Sequence, residues 1–114
     1  MQTPPQISVR NVEDSDAARA LVQQCVAKLE VFYSRITSCR VMVDVRQRFP
    51  AGTPVAYNVR VDIRVPGEEI VIRRQAHPEL HTAIQDAFDA AGRRLQDYAR
   101  RVRGDVKRRA GASR

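Results

Sequence analysis

Residues 55–74 read VAYNVRVDIRVPGEEIVIRR. In the first half every odd position (Val55, Tyr57, Val59, Val61, Ile63, Val65) is apolar, and the even positions carry Ala56, Asn58, Arg60, Asp62 and Arg64. A period of two is the repeat of a β-strand with one buried and one wet face. Pro66-Gly67 then supplies a tight turn, and a second strand follows over about residues 69–74, so the stretch predicts a hairpin. Two strands are marginal alone in water, so the rest of the chain must supply partners and a cover.

Upstream, Cys39, Val41, Val43 and Val45 alternate with Arg40, Met42, Asp44 and Arg46, which predicts a strand from Thr37 that ends in the Pro- and Gly-bearing segment 47–54. Before it, Ala18, Leu21, Val22, Cys25, Leu29 and Phe32 recur at threes and fours, predicting a helix over 16–33 with those residues facing inward. Asp14 or Ser15 is placed to accept hydrogen bonds from its first amides. Gln6 to Arg10 alternates again and predicts a short first strand.

Downstream, Pro78 suits a first helical position. The stripe Leu80, Ile84, Ala87, Phe88, Ala91, Leu95, Tyr98, Val102 predicts a helix of about 25 residues, roughly 37 Å long. Gly104 is placed to end it as a left-handed cap. Gly92, inside the helix, costs up to about 1 kcal/mol relative to alanine. The order is β-α-β-β-β-α, an α+β fold in which a four-stranded sheet carries both helices on its apolar face. A right-handed crossover through the first helix leaves strands one and two parallel if they are neighbours. The expected division is a leader over 1–5, one domain over 6–103 and a basic, flexible tail over 104–114.

A chain of 114 residues with 43% hydrophobic and 29% charged residues fits one small soluble domain. No apolar run approaches the roughly 20 residues that span a bilayer, and the first residues lack the regions of a secretory signal, so a cytoplasmic location is expected. Cys25 and Cys39 have no CxxC spacing and are expected to be buried thiols.

The charge is unevenly placed. From Arg93 onward nine basic residues face two acids, while residues 1–92 hold eleven of each, so the closing segment carries the chain's whole formal charge of +7. Cations at a helix C-terminus stabilise its dipole by only about 0.3–1 kcal/mol each, and this excess points to a polyanionic partner, nucleic acid first. Arg40, Arg46, Arg60 and Arg64 fall on the open sheet face beside Asp44 and Asp62, where cross-strand charge pairing is the expected use. Tyr33, Tyr57 and Tyr98 are expected at core edges. His77 and His81 are four apart, but two ligands do not make a metal site. No nucleophile elbow or Gly-rich phosphate loop is present, so neither an enzyme nor a cofactor is expected.

Two stretches carry a family resemblance: FYSRITSCRV at 32–41, and AIQDAFDAA at 83–91 continuing through LQDY at 95–98 to RGDVK at 103–107. With the β-α-β-β-β-α order, they resemble the bacterial ribosome hibernation promoting factors, also called ribosome-associated inhibitor A or sigma-54 modulation proteins, over residues 6 to about 107. The resemblance implies a domain similar to double-stranded RNA-binding domains. It further implies a protein that binds 16S ribosomal RNA of the 30S or 70S ribosome in the decoding region, where messenger and transfer RNAs sit, and silences idle ribosomes under stress. No membrane or small-molecule partner is implied, and a monomer is expected off the ribosome. The basic residues assigned to RNA are Lys28, Arg35, Arg40, Arg93, Arg94, Arg100, Arg101, Arg103 and Lys107. Long members carry a further C-terminal domain that pairs ribosomes, which this sequence does not show. The alternatives are a general double-stranded RNA-binding or ribosome-assembly protein, and an adaptor that binds a protein through the open sheet.

Overall fold

The hairpin forms the centre and one edge of a four-stranded sheet. The computed structural model describes residues 3–12, 14–48 and 54–112, and side chains at 3–12, 14–45, 57–73 and 78–104. The elements are β1 (Gln6–Arg10), α1 (Ser15–Phe32), β2 (Ser38–Arg48), β3 (Pro54–Val65), β4 (Glu68–His77) and α2 (Leu80–Ala112). The sheet order is β1-β2-β3-β4, with β1 parallel to β2 and the other pairs antiparallel. The parallel pair is the one expected from a helical crossover through α1.

Register follows from the alternation. Ile7, Val41, Val61 and Ile72 lie opposite one another across all four strands, and Cys39, Ile63 and Ile70 make a second row. Val41, Val61, Ile63 and Ile70 are fully buried, each contributing about 1.5–3 kcal/mol by leaving water. A slip by one residue would turn this whole set outward. At the hairpin tip Gly67 has φ +82° after a proline locked at negative φ, the combination a type II turn requires. Asn11, at φ 58°, turns the chain from β1 toward α1, a conformation asparagine tolerates better than most residues.

Asp14 caps α1, its Oδ1 accepting from the Ala17 amide at 3.2 Å. The helix buries Ala18, Val22, Val26 and Leu29. Phe32 does not join them: it is 75% exposed, contrary to the expected inward stripe. It falls on the flank of Leu21 and Cys25, which are only half-buried, and α1 ends there, so no further turn covers it. Cys25 is likewise half-buried rather than buried, whereas Cys39 is 3% exposed.

In α2 the start moves from Pro78 to Leu80. The Glu79 carbonyl accepts from the Ala83 amide at 2.9 Å, and the Thr82 hydroxyl donates to Glu79 Oε2 at 3.0 Å. The helix then packs Ile84, Ala87, Ala91 and Leu95 against β3 and β4. Gly104 does not end it. Among the described glycines only Gly67 has positive φ, and α2 continues to Ala112, 33 residues or about 50 Å. A single interior glycine costs only about 1 kcal/mol, which the arginines, lysine and alanines around it offset as good helix formers. Residues 104–112 therefore continue α2.

Gly92 has ordinary room: a Cβ there would meet Leu29 Cδ2 at 4.0 Å. Gly92→Ala should raise stability by up to about 1 kcal/mol in urea unfolding with an unchanged slope. A loss of stability would show that α1 and α2 require the bare backbone.

Candidate nucleic-acid interface

The α1–α2 seam holds two adjoining depressions that share Phe32 and Tyr33. One, of about 590 Å³, is bounded by Lys28 on α1 and by Asp89, Gly92, Arg93 and Gln96 on α2. The other, of about 220 Å³, is bounded by Arg35 in the α1–β2 loop and by Val102 and Arg103. Together they form one channel with a cation from each side along its length.

Hydrogen bonds fix both walls. The Tyr33 hydroxyl donates to the Gly92 carbonyl at 3.3 Å, tying the end of α1 to the middle of α2. The loop bearing Arg35 is held by buried Ile36 and by Thr37, whose amide and hydroxyl both donate to the Arg64 carbonyl, at 2.8 and 3.1 Å. Tyr98 donates to the Pro66 carbonyl at 2.8 Å and pins α2 to the hairpin tip. Tyr98 is buried, and Tyr33 and Tyr57 pack at the core edge, as expected for all three.

Helical spacing sorts the arginines of α2. Arg93 and Arg100 are seven apart, and with Arg103 they lie on the α1 side; Arg94 and Arg101, also seven apart, lie on the opposite flank. Arg101 is engaged there, its Nη2 donating to Glu68 Oε1 and Oε2 at 3.0 and 2.9 Å. Arg100 reaches Asp97 only at 4.0 Å with both side chains more than 60% exposed, a contact worth almost nothing in water. Lys28, Arg35, Arg93 and Arg103 are exposed and form no ion pair among the described residues. Unpaired cations keep their full attraction for an anion.

The structure thus gathers Lys28, Arg35, Arg93 and Arg103 around the channel, leaves Arg100 beside it on the Arg93 flank by helical spacing, and sets Arg94 and Arg101 apart. Arg40 stands on the far side of the sheet, donating from Nε to Gln6 Oε1 at 3.2 Å. Among the described residues that face holds one ion pair. Arg60 Nε meets Asp62 Oδ1 at 2.9 Å, along one strand rather than across two, and this bond holds the guanidinium pKa above its ordinary value. Lys107 lies within α2, but its side chain falls outside the described residues, as do those of Arg46 and His77.

No group of three or more His, Cys, Asp or Glu that could hold a metal occurs among the described residues. Burial pushes the Cys39 thiol up to about 12, with Asp62 and Glu30 adding to the effect, and burial also raises Cys25 against the opposing charge of Lys28. Neither is a thiolate at neutral pH. No described helix is long and apolar enough to cross a membrane.

The pattern that defines the Sigma 54 modulation protein / S30EA ribosomal protein family matches residues 6–103. The chain belongs to that family. Its match spans every strand and most of α2, including all of the gathered cations. Among relatives of this S30EA chain, a ribosome hibernation promotion factor of Deinococcus radiodurans is 30% identical over 96 residues, 84% of this chain and 49% of that protein. The chain therefore spans about half the length of that relative. A ribosomal subunit interface protein from Coxiella burnetii shares the fold with TM-score 0.69 at 14% identity, over 83% of this chain and 96% of the other. The N-terminal domain of Protein Y from Thermus thermophilus does so with TM-score 0.66 at 20% identity, over 86% and 99%. At these identities the two likenesses are of fold.

The two-flank sorting of the arginines was available from their seven-residue spacing. The channel was not, because its width depends on how closely α1 and α2 approach.

Proposed function

We propose that the chain is a ribosome-binding hibernation factor that seats its α1–α2 channel on small-subunit ribosomal RNA in the decoding region and silences idle ribosomes under stress. The observation that carries this is the convergence of four cations, Lys28, Arg35, Arg93 and Arg103, on one channel, with Arg94 and Arg101 on the other flank of α2 and Arg40 on the far face of the sheet. The names of the relatives agree, one a hibernation promotion factor and one a ribosomal subunit interface protein. Affinity comes from phosphate contacts, and selectivity from the fit of a rigid two-walled surface to folded RNA. The action is occupancy: no bond is made or broken, and no cofactor is used.

Competition on purified small subunits tests the location. Bound chain should be displaced by messenger RNA together with transfer RNA, and a plain RNA duplex should compete poorly. Equal competition by the duplex would favour a general double-stranded RNA-binding protein, and co-binding with messenger and transfer RNA would place the chain elsewhere on the subunit.

A further inference from the structure

Phe32 and its neighbour Val31 are the large hydrophobic side chains left exposed among the described residues, at 75% and 80%. Single exposed apolar residues are common, and Val31 needs no explanation. Phe32 differs by its place. It borders both depressions of the channel, with Lys28 and Arg93 around one and Arg35 and Arg103 around the other. An aromatic face open to water between cations on either side has the layout of a single-strand binding surface, where phosphates sit on the bases and a nucleobase stacks on the ring. A paired duplex keeps its bases stacked on one another and offers no such face. The charged side chains on the walls are four cations and one acid, Asp89, a balance that suits a polyanion.

We infer that Phe32 is a stacking platform for one unpaired RNA base, whose flanking phosphates lie toward Lys28 and Arg93 on one side and toward Arg35 and Arg103 on the other. This rests on the RNA-binding function proposed above and narrows it to RNA with at least one unstacked nucleotide at the channel. The side chain is positioned by the end of α1, where Tyr33 holds the helix to Gly92.

The chain has no tryptophan, so Phe32→Trp introduces a single indole at the platform. Titrated with a 12-nucleotide oligoadenylate at low salt, its emission should be quenched, and a blunt RNA duplex of equal charge should quench it far less. Phe32→Ala should weaken oligoadenylate binding about 5- to 150-fold, with the salt dependence and the melting temperature unchanged. Phe32→Leu, apolar but without a π face, should lose nearly as much. Unchanged binding by both variants, with no quench in Phe32→Trp, would overturn the stacking while leaving phosphate binding intact. A quench on small subunits but none on oligoadenylate would assign Phe32 to a protein contact and also overturn it. Failure of the unaltered chain to bind either RNA or subunits would remove both proposals together.

Discussion

Changing Arg93 and Arg100 together to glutamate should abolish co-sedimentation with small ribosomal subunits and leave the domain folded. Arg93 borders the channel, Arg100 follows seven residues on along the same flank of α2, and Arg100 has only a 4.0 Å, solvent-exposed contact with Asp97 to lose. Hydrogen bonds to charged groups contribute about 1.5–3 kcal/mol each, so two lost contacts reduce affinity by more than about 100-fold before repulsion is added. The glutamine pair, Arg93→Gln with Arg100→Gln, should lower the slope of log affinity against log salt by about 2. The control is Arg94→Gln with Arg101→Gln on the other flank, where Glu68 already holds Arg101. That pair removes the same charge from the chain and should reduce affinity less than about 5-fold, through the general field alone. Equal losses from both pairs would mean that net charge, and not the channel, is recognised. Stability should change by no more than about 0.5 kcal/mol in any of these variants, because all four side chains are exposed.

Leu95→Ala should have the largest effect on stability. Leu95 is 0% exposed and lies two residues from Arg93, on the face of α2 that meets the sheet. Removing its branched end from a closed core leaves a cavity and costs about 2–5 kcal/mol, against a total of about 5–15 kcal/mol for a domain of this kind. Urea unfolding should show the midpoint falling with little change in slope. The molecules that remain folded should still bind subunits with nearly unaltered affinity, since Leu95 lies beneath the depression bordered by Arg35 and Arg103 and is itself 0% exposed. A loss under about 1 kcal/mol would indicate that α2 is seated mainly by other residues, such as Ile84 and Tyr98.

The sheet was legible because its burial is one-sided. Over residues 39–45 and 55–65 every odd position is apolar and every even one is polar apart from Met42 and Ala56, so a period of two has no competing interpretation. The hairpin turn was legible for a similar local reason, since Pro66-Gly67 admits few backbone conformations. The end of α2 was not. Gly104 can cap a helix or lie within one, and the difference of about 1 kcal/mol is decided by the residues that follow. Phe32 escaped because a helix stripe has flanks: at threes and fours it falls beside Cys25, but burial on a flank depends on whether a neighbouring element covers it. Of the basic residues, Lys28 and Arg35 share a channel with Arg93 only through the packing of α1 on α2, which no local spacing records. Arg40 shows the converse, since strand alternation alone places it on the far face of the sheet.

The central claim is that the α1–α2 channel binds small-subunit ribosomal RNA through phosphate contacts. Sedimentation of the unaltered chain with purified small subunits at about 50 mM and about 200 mM salt tests it most directly. If about five phosphates are engaged, the chain should co-migrate at the lower salt with an affinity several hundred-fold above that at the higher. Co-migration that is indifferent to salt, or none at either concentration, would contradict the account.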